Sequence, residues 1–229
     1  MTRLLLGMCL VMFALCVATD RDLPIWSGGF RISTIVRFGG LIAWFGRNEP
    51  WRCLSAVFLH FSVLHIGMNL WSLSSIGPSC ERHFGRARFV ILFTVSGLLG
   101  FVASEWWYDG HSPPTVGASG AIFGTIGSVI GVAWARRDPN WKQILVQNGV
   151  NMLIIGIAFS ANNAAHVGGF AAGALLGFGF SKETRRLKLD IPFGILAAVL
   201  LVASLASVGL SWRSPLGRAV QAQESLQER

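Results

Sequence analysis

An all-α polytopic membrane protein is the fold class this sequence predicts, on three observations. Hydrophobic residues make up 52% of the 229-residue chain and charged residues only 13%, about half the ~25% typical of soluble domains. Apolar runs near the length that spans a ~30 Å hydrocarbon core recur along the whole chain. The basic residues behind the net charge of +8 sit in short segments between those runs. They read as topology determinants rather than a phosphate-binding face, so no nucleic-acid partner is expected. The cysteines, Cys9, Cys16, Cys53 and Cys80, show neither C-x-x-C nor Cys/His zinc spacing. They imply no disulfide framework and no metal site.

Taken in order, the apolar windows predict spans at Leu4–Thr19, Leu54–Ile76, Phe89–Trp107, Ser119–Ala135, Ile144–Phe159, Asn163–Phe180 and Ile191–Leu210. The first also has the look of a signal peptide, Arg3 followed by an apolar stretch. Without a clear small-x-small cleavage site it is taken as the first span. Lys and Arg set the orientation. With the N-terminus inside, Arg82, Arg86 and Arg88, then Arg136, Arg137 and Lys142, then Lys182, Arg185, Arg186 and Lys188 all fall in inner loops. The outer loops at 105–118 and 160–162 hold no Lys or Arg. Short loops are where the positive-inside rule is most reliable. Residues 20–53 run against it, with five arginines on the outside. Rich in aromatics and Gly, this segment is expected to lie in the interface rather than cross.

Polar groups inside a span are costly, so each marks a functional hypothesis. The second span carries His60, His65 and Asn69. His65 and Asn69, four apart, share a helix face. His60, read on the same helix at ~100° per residue, points about 140° away. Ser119 opens the fourth span and His166 lies about one turn into the sixth. The second, fourth and sixth spans all run from outside to inside, so these residues fall in the outer half of the bilayer. His65 and Asn69, some way into their span, are expected to lie a little deeper. Gly169, Gly173 and Gly177 follow His166 at intervals of four, and Gly120, Gly124, Gly127 and Gly131 follow Ser119. Small-xxx-small patterns let helix backbones approach closely. If these faces meet, Ser119 and His166 come within hydrogen-bond reach.

A serine needs a base to become nucleophilic, and histidine is the usual one. Acyl transfer also needs donors where the carbonyl oxygen turns negative. A serine at a helix start has unpaired backbone N–H groups and the positive dipole end beside it, and His65 and Asn69 can add side-chain donors. No Asp or Glu falls well inside any span, so a Ser/His dyad fits better than a triad. The absence of H-E-x-x-H, and of two intramembrane aspartates, argues against metal and aspartyl chemistry. No cofactor is implied.

These residues resemble the rhomboid family of intramembrane serine proteases. The likeness runs from about Glu49 to Gly177. It rests on Trp51-Arg52, on His60, His65 and Asn69 within HFSVLHIGMN, and on Glu81-x-x-x-Gly85. It continues through Gly117-Ala118-Ser119-Gly120 and through Ala165-His166 with Gly169 and Gly173. The resemblance implies a nucleophilic Ser119 and a general base at His166. It implies an oxyanion site formed by His65, Asn69 and the Ser119 amide. It also implies a six-helix core over residues 1–180 with a membrane-embedded first loop at 20–53. Residues 181–229 would add an inner loop, a seventh transmembrane helix at 191–210 and a short outer tail. Ser160–Asn162 would belong to a mobile cap over a water-filled cavity. His60 and Trp51-Arg52 are expected to be structural, and Glu81 to tie the inner loop together. The implied partners are the lipid bilayer and single-pass transmembrane substrates, with small or helix-breaking residues near the outer surface. The implied location is a bacterial inner membrane with a cytoplasmic N-terminus. A catalytically silent relative that binds membrane helices is the main alternative, and a transporter or channel is the alternative class. The sequence sets no oligomeric state.

Overall fold

The structure is a computed structural model that describes residues 1–21, 29–42, 48–111, 113–158, 162–182 and 189–227. Parts of three expected segments therefore lie outside the described residues: 22–28 and 43–47 of the first loop, 159–161 at the expected cap, and 183–188 of the last inner loop, with Arg185, Arg186 and Lys188. Among the described residues the regular elements are helices, with one isolated antiparallel bridge between Leu41 and Thr115. The helices are α1 (Thr2–Thr19), α2 (Ile32–Arg37), α3 (Arg52–Ser55) running into a 3-10 turn at Ala56–Phe58, α4 (Val63–Phe84), α5 (Arg86–Trp107), α6 (Ser119–Ala135), α7 (Trp141–Ala158), α8 (Asn163–Lys182), α9 (Asp190–Trp212) and α10 (Pro215–Gln227).

Helices α1, α5, α8 and α9 are long and apolar enough to cross a membrane, and α3 with α4 forms a fifth candidate span bent by 89°. α9 leaves Ile191, Ile195, Val199, Val202 and Leu205 more than half exposed. An apolar stripe of that length belongs against lipid, not water. α5 does the opposite. Phe89, Val90, Ile91, Leu92 and Phe93 are all buried, because α6, α8 and α9 pack around it. α1 contributes Leu5, Cys9, Met12 and Cys16 to the same core, one face at helical spacing.

Ion pairs show which helix ends lie together. Glu81, near the end of α4, accepts hydrogen bonds from Thr2 N–H and Oγ1 at 2.8 Å each and from the Met1 ammonium at 2.5 Å. Arg88 at the start of α5 meets Asp190 at the start of α9 at 2.7 Å. The starts of α1, α5 and α9 thus share one face of the bundle, as the alternating reading of the spans requires.

Several expectations need correction. The second span does not run straight from Leu54 to Ile76. Ser62 is extended (φ −149°, ψ 167°) and its hydroxyl caps α4 by accepting from His65 N–H. Upstream of it, carbonyls face other segments: Phe61 O accepts from Phe30 N–H, and Ala56 O from Gly117 N–H at 2.9 Å. His60 is therefore not on the helix. His65 sits in the first turn of α4, not deep within a span. Glu81 lies in the last turn of α4 rather than in a loop, and it ties α1 to α4. The tail is helical: α10 packs on α2, and Ser33 N–H reaches Glu224 at 3.3 Å.

Three of the first loop's arginines, Arg31, Arg37 and Arg52, have partners among the described residues. Arg31 N–H and Nη1, with Thr34 Oγ1, converge on the buried Asp20. Arg37 stacks 3.6 Å from the centre of the Trp212 ring. Arg52, fully buried just after Trp51 at the start of α3, pairs with Glu49 at 2.6 Å and donates to the carbonyls of Val36 and Gly40. Charges matched this way anchor local structure, so they say little about topology.

Candidate active site

α6 is only 17 residues long, about 25 Å at 1.5 Å per residue. With Arg136 and Arg137 of its far end at the membrane surface, the helix would begin inside a ~30 Å hydrocarbon core. Ser119 is its first residue, where backbone N–H groups have no intrahelical partner. Across from it, His166 in the first turn of α8 is 3% exposed. Its Nε2 lies 2.8 Å from Ser119 Oγ, within ordinary hydrogen-bond range.

The glycine ladder accounts for that closeness. α6 and α8 form the most extensive helix pair in the molecule. A Cβ built on Gly169 would collide with the Gly120 carbonyl oxygen, one on Gly173 with the Gly124 carbonyl, and one on Gly177 with Ser128. Backbone rests on backbone over three turns, as the four-residue spacing predicts. Gly117 is needed for a different reason. Its φ is +126°, and a Cβ there would stand 2.8 Å from His65 Nε2. L side chains are disfavoured there twice over, by backbone and by space.

His65 thus presents its Nε2 edge to the segment leading into Ser119. Its Nδ1 accepts from Phe61 N–H at 3.4 Å, which in a neutral ring leaves the proton on Nε2, pointing at the site. His60 packs edge-on against His65 with centroids 5.0 Å apart and is fully buried, a wall holding the His65 ring. Asn69 is buried one turn further along α4, its amide donating to the His65 carbonyl at 2.8 Å.

Two features of the site escaped sequence reasoning. Phe123, one turn after Ser119, packs on the His166 ring with centroids 4.7 Å apart. Among the described residues His166 Nδ1 has no hydrogen-bond partner, so ring packing orients this imidazole where a triad would use a carboxylate. Asn162, read above as part of a cap, precedes α8 and bonds to three separate elements. An Asn just before an apolar run is an N-cap signal, which could have revealed it. Arg52 and Glu81 are held in ion pairs with Glu49 and the N-terminal ammonium, and Trp51 stands just before α3. Among the described residues no cluster of His, Cys, Asp and Glu could hold a metal ion.

Fold and site together define a class: a helical membrane protein carrying a serine–histidine pair where two glycine-faced helices meet, inside the expected slab. Residues 47–183 match the family profile described as the Rhomboid domain, and the chain belongs to the rhomboid family. It is similar to "Rhomboid protease GluP" of Bacillus subtilis, with 34% identity over 217 residues covering 88% of this chain and 38% of that protein. It is also similar to "RHOMBOID-like protein 4" of Arabidopsis thaliana, 37% identical over 137 residues (57% of this chain, 34% of that one). "Rhomboid-type serine protease 2" of Emericella nidulans is 29% identical over 146 residues, 62% of this chain and 29% of that protein. The chain thus spans between 29% and 38% of the length of these curated relatives.

Proposed function

We propose that this chain is an intramembrane serine endopeptidase that hydrolyses peptide bonds in or near transmembrane segments of membrane proteins. The observation that carries the reading is the 2.8 Å contact between Ser119 Oγ and His166 Nε2 at the start of a short, enclosed helix. Ser119 Oγ attacks the scissile carbonyl carbon as its proton passes to His166 Nε2. The carbonyl oxygen becomes an oxyanion facing the Ser119 N–H, His65 Nε2–H and, after a turn of its amide, Asn69. Collapse breaks the C–N bond, and His166 returns the proton to the departing amine. Water, deprotonated by the same histidine, then cleaves the acyl-enzyme and frees Ser119. Preorganised donors and a positioned base are what acyl transfer requires.

Substrates with small or helix-breaking residues near the outer surface suit this reading, since such segments unwind most readily into a site held below the interface. A cytoplasmic N-terminus in a bacterial inner membrane suits this reading, supported by the Lys and Arg of the short loops on one side of the predicted spans. The test is labelling of detergent-purified protein with a fluorophosphonate. Ser119 should be modified, His166→Ala should abolish the modification, and both His166→Ala and Ser119→Ala should abolish cleavage of a reporter transmembrane substrate. A silent helix-binding relative would show neither labelling nor cleavage, and cleavage by a clean Ser119→Ala preparation would sink the assignment.

A further inference from the structure

We propose that Asn162 is a positioning residue that sets the nucleophile and the base in register through its side-chain amide; this rests on the Ser119/His166 reading above. Its Oδ1 accepts from Ala165 N–H at 3.1 Å, and its Nδ2 donates to Ser104 Oγ at 2.6 Å and to Thr115 Oγ1 at 3.0 Å. A backbone N–H can only donate, so Oδ1 must face Ala165. Both Nδ2 hydrogens are then spent on Ser104 and Thr115.

These contacts join three elements: the end of α5, the segment that leads into Ser119, and the first turn of α8. Thr115 is four residues before Ser119, and Asn162 is four before His166. Thr115 is itself fixed, since it exchanges backbone hydrogen bonds with Leu41 and its hydroxyl donates to Pro113 O at 2.6 Å. Ser104 and Thr115 are both buried.

The glycine ladder makes this amide necessary. Contact between two glycine faces sets how near α6 and α8 lie, and beyond the Phe123, Ile130 and Phe170 cluster smooth glycine faces do little to resist axial sliding or rotation. A slide of one residue, ~1.5 Å, would stretch and misalign the 2.8 Å Ser119–His166 contact to the edge of hydrogen-bond range. Asn162 bonds across that freedom. A helix cap alone would need only Oδ1, a part that serine plays as well. The two Nδ2 bonds have no use in capping, and they are what ties the pair together.

The experiment compares Asn162→Ser, Asn162→Ala, Thr115→Val and Asn162→Asp in the full chain, purified in detergent. The readouts are the second-order rate of fluorophosphonate labelling at Ser119, kcat and KM on a reporter transmembrane substrate, and the thermal unfolding midpoint. Asn162→Ser keeps a cap oxygen but cannot reach Ser104 and Thr115. It should label at least ~10-fold more slowly, with the loss in kcat and KM within about twofold. Thr115→Val should lose a similar factor, and the Thr115→Val/Asn162→Ser double variant should lose little more than either single one, since both break one connection. Asn162→Asp can cap with one oxygen and accept from the turned Ser104 hydroxyl with the other, while the Thr115 proton stays on Pro113 O, so it should recover part of the loss and label faster than Asn162→Ser. Wild-type labelling rates in Asn162→Ser, or losses in all variants that merely follow the unfolding midpoint, would overturn the positioning role while leaving the protease reading intact. A wild-type protein that does not label overturns both.

Discussion

Gly169→Ala tests whether the glycine ladder is what makes the serine reactive. Gly169 lies three residues after His166 and rests on Gly120, the neighbour of Ser119. A Cβ at Gly169 would stand 2.8 Å from the Gly120 carbonyl carbon, 3.1 Å from its Cα and closer still to its oxygen. Ordinary carbon–carbon contact begins near ~3.5 Å, so the helices must part by about 0.7 Å against the carbon and more against the oxygen, roughly 1 Å in all. The nearest opposing atoms are backbone and cannot swing aside. Moving apart by ~1 Å takes the Ser119–His166 contact from 2.8 Å to about 3.8 Å, beyond hydrogen-bond reach. Misplacement of about 1 Å at a reacting pair can cost ~100-fold in rate, and overpacking itself costs about 1–3 kcal/mol. Gly179→Ala is the matched control, on the same helix with no atom within 4 Å of its Cβ position. Fluorophosphonate labelling rates and unfolding midpoints should show a loss near 100-fold for Gly169→Ala and wild-type behaviour for Gly179→Ala. Equal labelling of both variants would refute the reasoning.

Three other outcomes follow from the same geometry. Asn69→Ala should lower kcat on a transmembrane reporter by 10²–10³-fold, about 2.7–4 kcal/mol, with Ser119 still present, as loss of one oxyanion donor does; an unchanged kcat would remove Asn69 from the oxyanion site. Arg52→Met should destabilise the fold by about 3–5 kcal/mol by stranding the buried Glu49 carboxylate, read as a lower midpoint in denaturation. Asp190→Asn, with that carboxylate 85% exposed in its pair with Arg88, should shift stability by less than about 1 kcal/mol, and a larger shift would mean that the pair holds α9 in place.

Much of the bundle was legible because membrane spans advertise themselves through composition, and the Ser119/His166 pairing because parity and glycine spacing act over whole helices. What stayed hidden depends on single residues overriding a run. Ser62 starts α4 in the middle of an apolar stretch, so the window reading carried one straight helix through His60 and placed His65 too deep. The hydroxyl of one capping residue outweighed the hydrophobic run around it, because the backbone around it had better partners in Phe30 and Gly117. The tail was missed for the opposite reason. α10 is too polar for a span, and its helical order comes from docking on α2 rather than from its own hydrophobicity. Phe123 looked like any apolar residue of a span, and only three-dimensional placement against His166 gives it a role.

The docking of the tail also explains how a buried ion pair is tolerated. Glu49 and Arg52 lie within the residues that match the Rhomboid domain, but the pair is completed from outside it. Ser214, in the turn between α9 and α10, donates to the second Glu49 oxygen at 2.5 Å and accepts from Gly217 N–H at 2.9 Å. A carboxylate out of water needs each oxygen satisfied, or the cost of burial outweighs the attraction to its partner. Arg52 serves one oxygen and Ser214 the other. Arg52 in turn opens α3, whose following turn offers Ala56 O to Gly117 N–H, two residues before the nucleophile. Helices α9 and α10, through the turn that carries Ser214, therefore brace the wall on which Ser119 is mounted, and a fold read only from its matched core would miss the contact that satisfies the second Glu49 oxygen.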